Sequence, residues 1–298
     1  MACVGHASLD HVFEVDALAV EPTKTMARGF HIRAGGMSLH ASIAAARLGA
    51  QARLLGRVGD DAGADFLRQC LADEGVQARG LASMPGCTTS LAAVIVDAQG
   101  ERQIVVHRGD ALQRARPLDT RELEGADVVL ADPRWPEGAA AALAWARKHG
   151  VLSVLDADVA PQTDLDRLVP LAQWVAFSQP GLAIWAHGRD TDAALASALA
   201  SGPRAALVTQ GAAGARFMLR GGVVQQVASP RVAAMDTTAA GDVFHAALAL
   251  ALCEQRAPRD AVAWACAAAA YKCAHGIGSA GAPTRRQLDA WLRHRNAG

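Results

Sequence analysis

Apolar positions in the middle of the chain fall into two alternating textures. Short runs, Asp127-Val-Val-Leu-Ala131, Val151-Leu-Ser-Val-Leu155, Trp174-Val-Ala-Phe177 and Ala205-Ala-Leu-Val-Thr209, are apolar on nearly every consecutive position. A strand apolar on both faces is a strand covered on both faces. Between these runs, the Ala-rich stretches Glu137–His149 and Thr191–Ala200 read as helices, with Gly150 placed to end the first. This βαβα rhythm predicts a parallel sheet with helices on either side.

Two regions depart from that rhythm. Leu91–Val96 and Gln103–Val106, joined by Asp97-Ala-Gln-Gly100, predict an antiparallel hairpin. Residues 11–34 alternate Val12, Phe13, Val15, Phe30 and Ile32 against polar neighbours and supply further strands of the same small layer. A second hairpin is expected at 215–219 and 223–227, turning at Gly221-Gly222. Three helices, at about 239–255, 258–274 and 284–295, close the chain, with Pro258 and Pro283 placed to begin the last two. The expectation is one domain over residues 1–298, carrying β-layer segments at about 11–34 and 86–110.

Composition narrows the function classes. The 298 residues are 51% hydrophobic and 19% charged, which is globular. Lys plus Arg number 29, equal to Asp plus Glu at 29. With neither a basic excess nor a basic block, a nucleic-acid partner and a polybasic membrane face are not expected. The cysteines Cys3, Cys70, Cys87, Cys253, Cys266 and Cys273 form no C-x-x-C pair, so no zinc ribbon is expected. Scattered thiols and the lack of a signal-peptide pattern at residues 1–10 suit a cytoplasmic location. The most apolar stretches, Val243–Cys253 and Ala261–Tyr271, fall short of the ~18–20 residues of a membrane span.

The candidate chemistry lies in Met235-Asp-Thr-Thr-Ala-Ala-Gly-Asp-Val-Phe-His245. A loop of small residues running straight into a helix exposes unpaired backbone N–H groups, which suits a phosphate. Asp242, in the first turn, is either an ordinary helix-start carboxylate or a base that accepts a proton from an attacking hydroxyl.

That segment resembles the D-T-x-G-A-G-D signature of the PfkB/ribokinase-type carbohydrate kinases. A second signature is similar at Gly35-Gly36-Met-Ser-Leu-His-Ala41, followed by Ala44–Gly49 and Gly56–Gly63. Val4-Gly5 with Asp10 resembles the family's first strand and sugar-binding aspartate, and Thr209-Gln-Gly211 with Gly214 its nucleotide-phosphate loop. Four motifs in the right order span nearly the whole chain.

The resemblance implies a three-layer α/β/α fold with a mostly parallel central sheet and a small β lid that also forms a homodimer interface. It implies Asp242 as catalytic base, with the backbone of Ala240, Gly241 and Asp242 as the anion hole and Ala239 as part of the same catalytic loop. Asp10, Gly35, Gly36 and His40 would contact the sugar. Thr209, Gly211 and Gly214 would contact ATP, and Cys266–Gly276, including Cys273, would wall the adenine. Magnesium is expected to arrive with ATP rather than in a dedicated protein cage. Use of a monovalent cation such as K+ is left open.

Val128–Trp135, Val154–Asp158, Ala176–Leu182 and Asp242–His245 further resemble the sulfofructose kinases, which phosphorylate 6-deoxy-6-sulfofructose at O1. Lys24 and Arg134 fall at the positions of that group's sulfonate-binding lysine and arginine, and an anionic tail calls for such cations. Val106, beside His107, takes the place of its asparagine.

Several positions depart from the family pattern. Ala239 replaces the first glycine of G-A-G-D, which raises the question of a positive φ there. His40 replaces the asparagine of G-G-x-x-x-N and reads as a helix-surface histidine or a substrate contact. The N-x-x-E that steers magnesium waters appears as Ser178-Gln-Pro-Gly181, leaving Asp156 or Asp158 to contribute instead. Gly276-Ile-Gly-Ser-Ala-Gly281 satisfies G-x-G-x-x-G but follows a helical run, so a tight loop is expected. Trp135 reads as packing or as a wall of the sugar site. The functional expectation is an ATP-dependent kinase of a ketohexose-like sugar. Its alternatives are a kinase of another sugar or a nucleoside, and a catalytically weak sugar- or nucleotide-binding relative.

Overall fold

The computed structural model describes residues 1–111 and 117–296. The chain starts in β1 (Ala2–Gly5), leaves for β2 (Ser8–Glu14) and β3 (Gly29–Gly35), and returns through α1 (Met37–Arg47) to β4 (Arg53–Val58). After α2 (Ala62–Asp73) and β5 (Leu81–Ser83), a hairpin of β6 (Ser90–Val96) and β7 (Arg102–His107) projects outward. The alternating half follows: β8 (Val128–Ala131), α3 (Pro136–His149), β9 (Leu152–Ala157), α4 (Gln162–Leu168), β10 (Trp174–Phe177), α5 (Gln179–Ala186), α6 (Thr191–Ser201) and β11 (Ala205–Thr209). Strands β12 (Ala215–Leu219) and β13 (Gln225–Val227) lead to α7 (Ala240–Cys253), α8 (Pro258–His275) and α9 (Arg285–Asn296).

Nine strands form the main sheet in the order β13-β12-β11-β10-β9-β8-β1-β4-β5. It is parallel from β5 to β11, and β12 and β13 extend the edge antiparallel. The continuous apolar strands have the expected cause. Leu130, Val154 and Leu207 face a core shared with α1, α7 and α8, while Val129, Leu155 and Val208 face one shared with α3 and α6. Successive side chains point to opposite faces, so a sheet buried on both faces needs apolar residues at every position. Gly150, at φ 68, ends α3 in the left-handed conformation expected of a glycine stop.

The second sheet has the order β3-β2-β6-β7. It begins at Ser8, earlier than the alternation from residue 11 indicated, so Asp10 belongs to the lid strand β2 and not to the first strand of the main sheet. Pairing of Asp10 with Arg33, of Asp10 with Ala92 and of Ala92 with Val106 puts all four on one face. That inner face also carries Val12, Glu14, Val94, Val96 and Ile104. Phe13, Phe30, Ile32, Ile95 and Val105 occupy the outer face. Trp135 is packing: it is buried, with the Arg57 guanidinium 4.3 Å over its ring. No helix among the described residues is long and apolar enough to cross a membrane.

Candidate active site

The loop before α7 is shaped by one unusual residue. Ala239 has φ 61 and ψ 11, the left-handed conformation that a Cβ disfavours, and it lacks a capping side chain. From there α7 starts abruptly. Ala240 N donates to Thr237 O at 3.2 Å and Val243 N to Ala239 O at 3.0 Å. The amides of Gly241 and Asp242 find no acceptor among the described residues. Two free donors at the positive end of a 14-residue helix make an anion seat.

Asp236 anchors the same loop by accepting six hydrogen bonds on its carboxylate and carbonyl. Lys272 Nζ, fully buried on α8, donates to Asp236 Oδ2 at 2.8 Å and to its carbonyl at 2.7 Å. Gly278 N donates to Oδ2 at 2.8 Å, and Thr238 donates to Oδ1 through both its amide and its hydroxyl. Arg102, at the start of β7, donates to Asp236 Oδ1 and to Thr238 Oγ1, both at 2.6 Å, so the lid is tied to the loop. Burial alone would raise the Asp236 carboxyl; the bonds from Lys272, Gly278 and Thr238 outweigh it and hold the group well below the usual carboxylate range.

A second group of carboxylates gathers where β8, β9 and α7 meet. Asp132 is buried and accepts from His6 N at 2.8 Å, Ser38 Oγ at 2.5 Å, Ser38 N at 3.1 Å and Arg134 N at 2.8 Å. Asp156 Oδ2 lies 2.9 Å from His245 Nδ1, both buried, while Asp156 Oδ1 has no partner among the described residues. Asp158 accepts from Ser178 Oγ at 2.6 Å. Burial pushes the Asp242 carboxyl well above its ordinary value, and the charges of Asp156, Asp132 and Asp158 push the same way; Lys272 opposes them. Among the described residues, no three His, Cys, Asp or Glu side chains converge closely enough to hold a metal ion.

Two clefts flank this arrangement. The first, about 450 Å³, runs under the lid and is lined by Asp10, Arg33, His40, Arg102, Asp236 and Thr238 among others. The second, about 550 Å³, is lined by Thr209, Gly211, Gly214, Cys266, Ala270 and Cys273, with Thr237, Ala240 and Gly241 at its inner end. The segment 235–241 therefore borders both clefts, giving Met235, Asp236 and Thr238 to the first and Thr237, Ala240 and Gly241 to the second, while Asp242 follows it outside both linings.

The expected sugar contacts separate into two sets. Asp10 faces the first cleft, its carboxyl raised by burial against the opposing effects of Ser8 and Arg33. Gly35 packs so closely on it that a Cβ there would lie 2.4 Å from Asp10 Oδ1. Gly36, at φ 100, turns the chain into α1 against the His6 carbonyl. His40 is not a helix-surface histidine. It is 6% exposed, lines the first cleft, and burial with the nearby Lys272 charge lowers its pKa to about 4. Lys24 is exposed between β2 and β3 and lines neither cleft. Arg134 stands outside both linings, with Nη2 3.7 Å from Asp158 Oδ2.

Of the expected nucleotide contacts, Thr209, Gly211, Gly214 and Cys273 come together in the second cleft, but Gly276 does not join them. It packs against Gly281 in a tight loop whose Gly278 amide binds Asp236. Ser178 caps α5, and a Cβ at Gly181 would meet the Ala157 carbonyl at 2.2 Å, so a glutamate there would not fit. Arg102, Asp132 and Lys272 escaped sequence reasoning. Lys272 alone left a signal, as a lone cation in the apolar run Ala261–Cys273.

The family model described as pfkB family carbohydrate kinase matches residues 1–285. The ribokinase of Bacillus subtilis is 30% identical, over 97% of this chain and 98% of its own length. The fructokinase of Klebsiella pneumoniae is 33% identical, over 78% of this chain and 80% of its own. A solved structure from Agrobacterium tumefaciens superposes with a TM-score of 0.93 at 34% identity, covering 100% of this chain and 98% of that one. Arabidopsis thaliana ribokinase complexed with ribose and ATP superposes with a TM-score of 0.88 at 24% identity, covering 98% of each chain.

Proposed function

Because the chain belongs to the pfkB family of carbohydrate kinases, we propose that it transfers the γ-phosphoryl group of ATP to a hydroxyl of a ketohexose-like sugar. The observation that carries this reading is the shared wall: one loop gives Met235, Asp236 and Thr238 to one cleft and Thr237, Ala240 and Gly241 to the other, so a sugar under the lid and a nucleotide beyond it would meet at the start of α7. Asp10, Gly35, Gly36 and His40 orient the sugar. Thr209, Gly211, Gly214 and Cys273 seat the nucleotide. Asp242 accepts the proton of the attacking hydroxyl, and its raised pKa places it nearer the working pH of a base. The Gly241 and Asp242 amides hold the transferring group in line. The lid excludes water, whose attack on ATP is the competing reaction.

Magnesium, when bound with the nucleotide, neutralises phosphate charge during transfer. Asp156, whose Oδ1 has no partner among the described residues, and Asp158 offer hard oxygen donors beside Asp242 and would hold its waters. With no space for a glutamate at Gly181, Asp158, fixed by the Ser178 hydroxyl, takes over that carboxylate's task.

The finer reading is a ketohexose with an anionic C6 end, with 6-deoxy-6-sulfofructose phosphorylated at O1 as leading candidate. Its support is Arg33, with Arg28 and Arg102, in the sugar cleft, set among the carboxylates Asp10, Glu14, Asp97 and Asp236; Arg134 stands outside that lining, beside Asp158. The outer lid face, where Phe30, Ile32 and Val105 are 49%, 45% and 62% exposed, suits a homodimer. A sugar-dependent ADP-release assay over sulfofructose, fructose, fructose 6-phosphate and ribose tests the reading. Preference for a neutral sugar removes the anionic tail; sugar and ATP binding without ADP release removes the kinase.

A further inference from the structure

Lys272 is the only buried cation of the described residues that the proposed chemistry leaves without a task beside the site. Its ammonium is fully enclosed, and both its acceptors belong to one residue, the Asp236 carboxylate and the Asp236 carbonyl. A buried ammonium is costly unless paired and hydrogen-bonded. A neutral donor could have capped the loop at less cost, so the charge itself calls for an explanation.

The surroundings supply one. The last turn of α8 presents the Cys273 carbonyl to Met235 N and Asp236 N at 2.7 and 3.2 Å, placing the negative end of that helix against the loop. The Asp236 carboxylate adds a full negative charge, and the Gly278 amide is its only other partner on that oxygen. Lys272 meets Oδ2 and the loop carbonyl from the inner side, beside the helix end, while Arg102 takes Oδ1 from the second sheet, so this oxygen-rich pocket draws a cation on each side and Lys272 fills the buried one. Four residues on, Ala240–Asp242 must be held still for an anion. The Lys272 charge also reaches Asp242, in the first turn of α7, and His40, in the lining of the first cleft.

We propose that the Lys272 ammonium is a built-in monovalent cation for the phosphoryl-transfer loop. It fixes Asp236 through carbonyl and carboxylate together, so that the Gly241 and Asp242 amides point into the shared wall, and it makes turnover independent of dissolved K+. Lys272 is a positioning residue, since it lines neither cleft and acts through Asp236, which lines the first. The inference rests on the kinase reading above.

The test uses the full-length protein. Wild-type turnover in tetramethylammonium buffer should change less than about twofold when K+ replaces that ion at constant ionic strength. Lys272→Gly, which opens a space the size of the side chain, should lose kcat by about 100-fold, the cost of a loop displaced by about an ångström. K+, ammonium or methylammonium should restore it at least tenfold. Lys272→Met fills the space without charge, so it should resist rescue, and its acid limb of kcat/KM should move to higher pH. Strong K+ activation of the wild type, or Lys272→Met with wild-type kcat and pH profile, overturns the proposal. Thermal melting separates the two readings, because ammonium should raise the melting temperature of Lys272→Gly and not that of the wild type. That result stands even if no sugar is turned over, an outcome that would sink only the kinase reading. If Lys272→Gly does not fold, the wild-type K+ titration decides alone.

Discussion

Gly35→Ala isolates the sugar-binding proposal from folding. Gly35 ends β3 in ordinary strand conformation, so alanine is compatible with its backbone. The new Cβ would lie 2.4 Å from Asp10 Oδ1 and 2.6 Å from Asp10 Cγ. A carbon–oxygen contact needs about 3.3 Å or more, so the carboxylate must retreat by roughly 1 Å. It is the far end of a side chain at the edge of a cleft and can swing away, so the fold is spared. What is lost is its aim at a sugar hydroxyl. One hydrogen bond to a charged group contributes about 1.5–3 kcal/mol, which corresponds to about a 10- to 150-fold rise in sugar KM. Steady-state kinetics with varied sugar, ATP titration and a melting curve should show that rise with ATP binding and melting temperature nearly unchanged. A sugar KM within threefold of wild type would refute Asp10 as a sugar contact. Gly36→Ala is the contrast: at φ 100, with a Cβ 2.5 Å from the His6 carbonyl, it should lower the melting temperature.

Four further outcomes are expected. Asp242→Asn should cut kcat by about 10²–10⁴-fold while calorimetry shows ATP and sugar binding preserved; a variant keeping most of its kcat removes Asp242 as base. Because the base works deprotonated and burial raises its pKa, log kcat/KM should fall as pH drops through a value above the ordinary carboxylate range; a limb near pH 4 would contradict this. Ala239→Gly relieves a left-handed alanine costing about 1–2 kcal/mol against about 0.5–1 kcal/mol of added chain entropy, so denaturant unfolding should show a gain of up to about 1 kcal/mol; a loss would mean that the loop does not hold φ 61 in solution. Phe30→Lys with Val105→Lys should turn a homodimer into a monomer by light scattering, and an unchanged mass refutes the lid interface.

How far the sequence could be read follows from where its information is local. The alternation of fully apolar strands with Ala-rich helices betrays a sheet covered on both faces, since only such burial permits apolar residues at consecutive positions. The stop at Gly150, the hairpin around Asp97–Gly100 and the small-residue loop into α7 were legible for the same reason: backbone conformation there depends on neighbouring residues. Lid strand β2 begins three residues early because His6 is placed by Asp132 and Ser90, and Ser8 by Gly35 and Ser90, partners far along the chain.

Tertiary structure alone decided the electrostatics. No local pattern says that Lys24 points to solvent, that Arg102 reaches from the lid to Asp236, or that four aspartates from β8, β9 and α7 share one region. His40 was ambiguous in sequence because a histidine on a helix is surface or core according to what packs on that helix. The sequence by itself determined which segments are strands, helices and anion-seating turns, since these obey short-range sterics and periodicity. Which charges meet, and at what cost of burial, was decided only when segments distant in sequence were brought together, Arg102 and Asp236 across 134 residues among them.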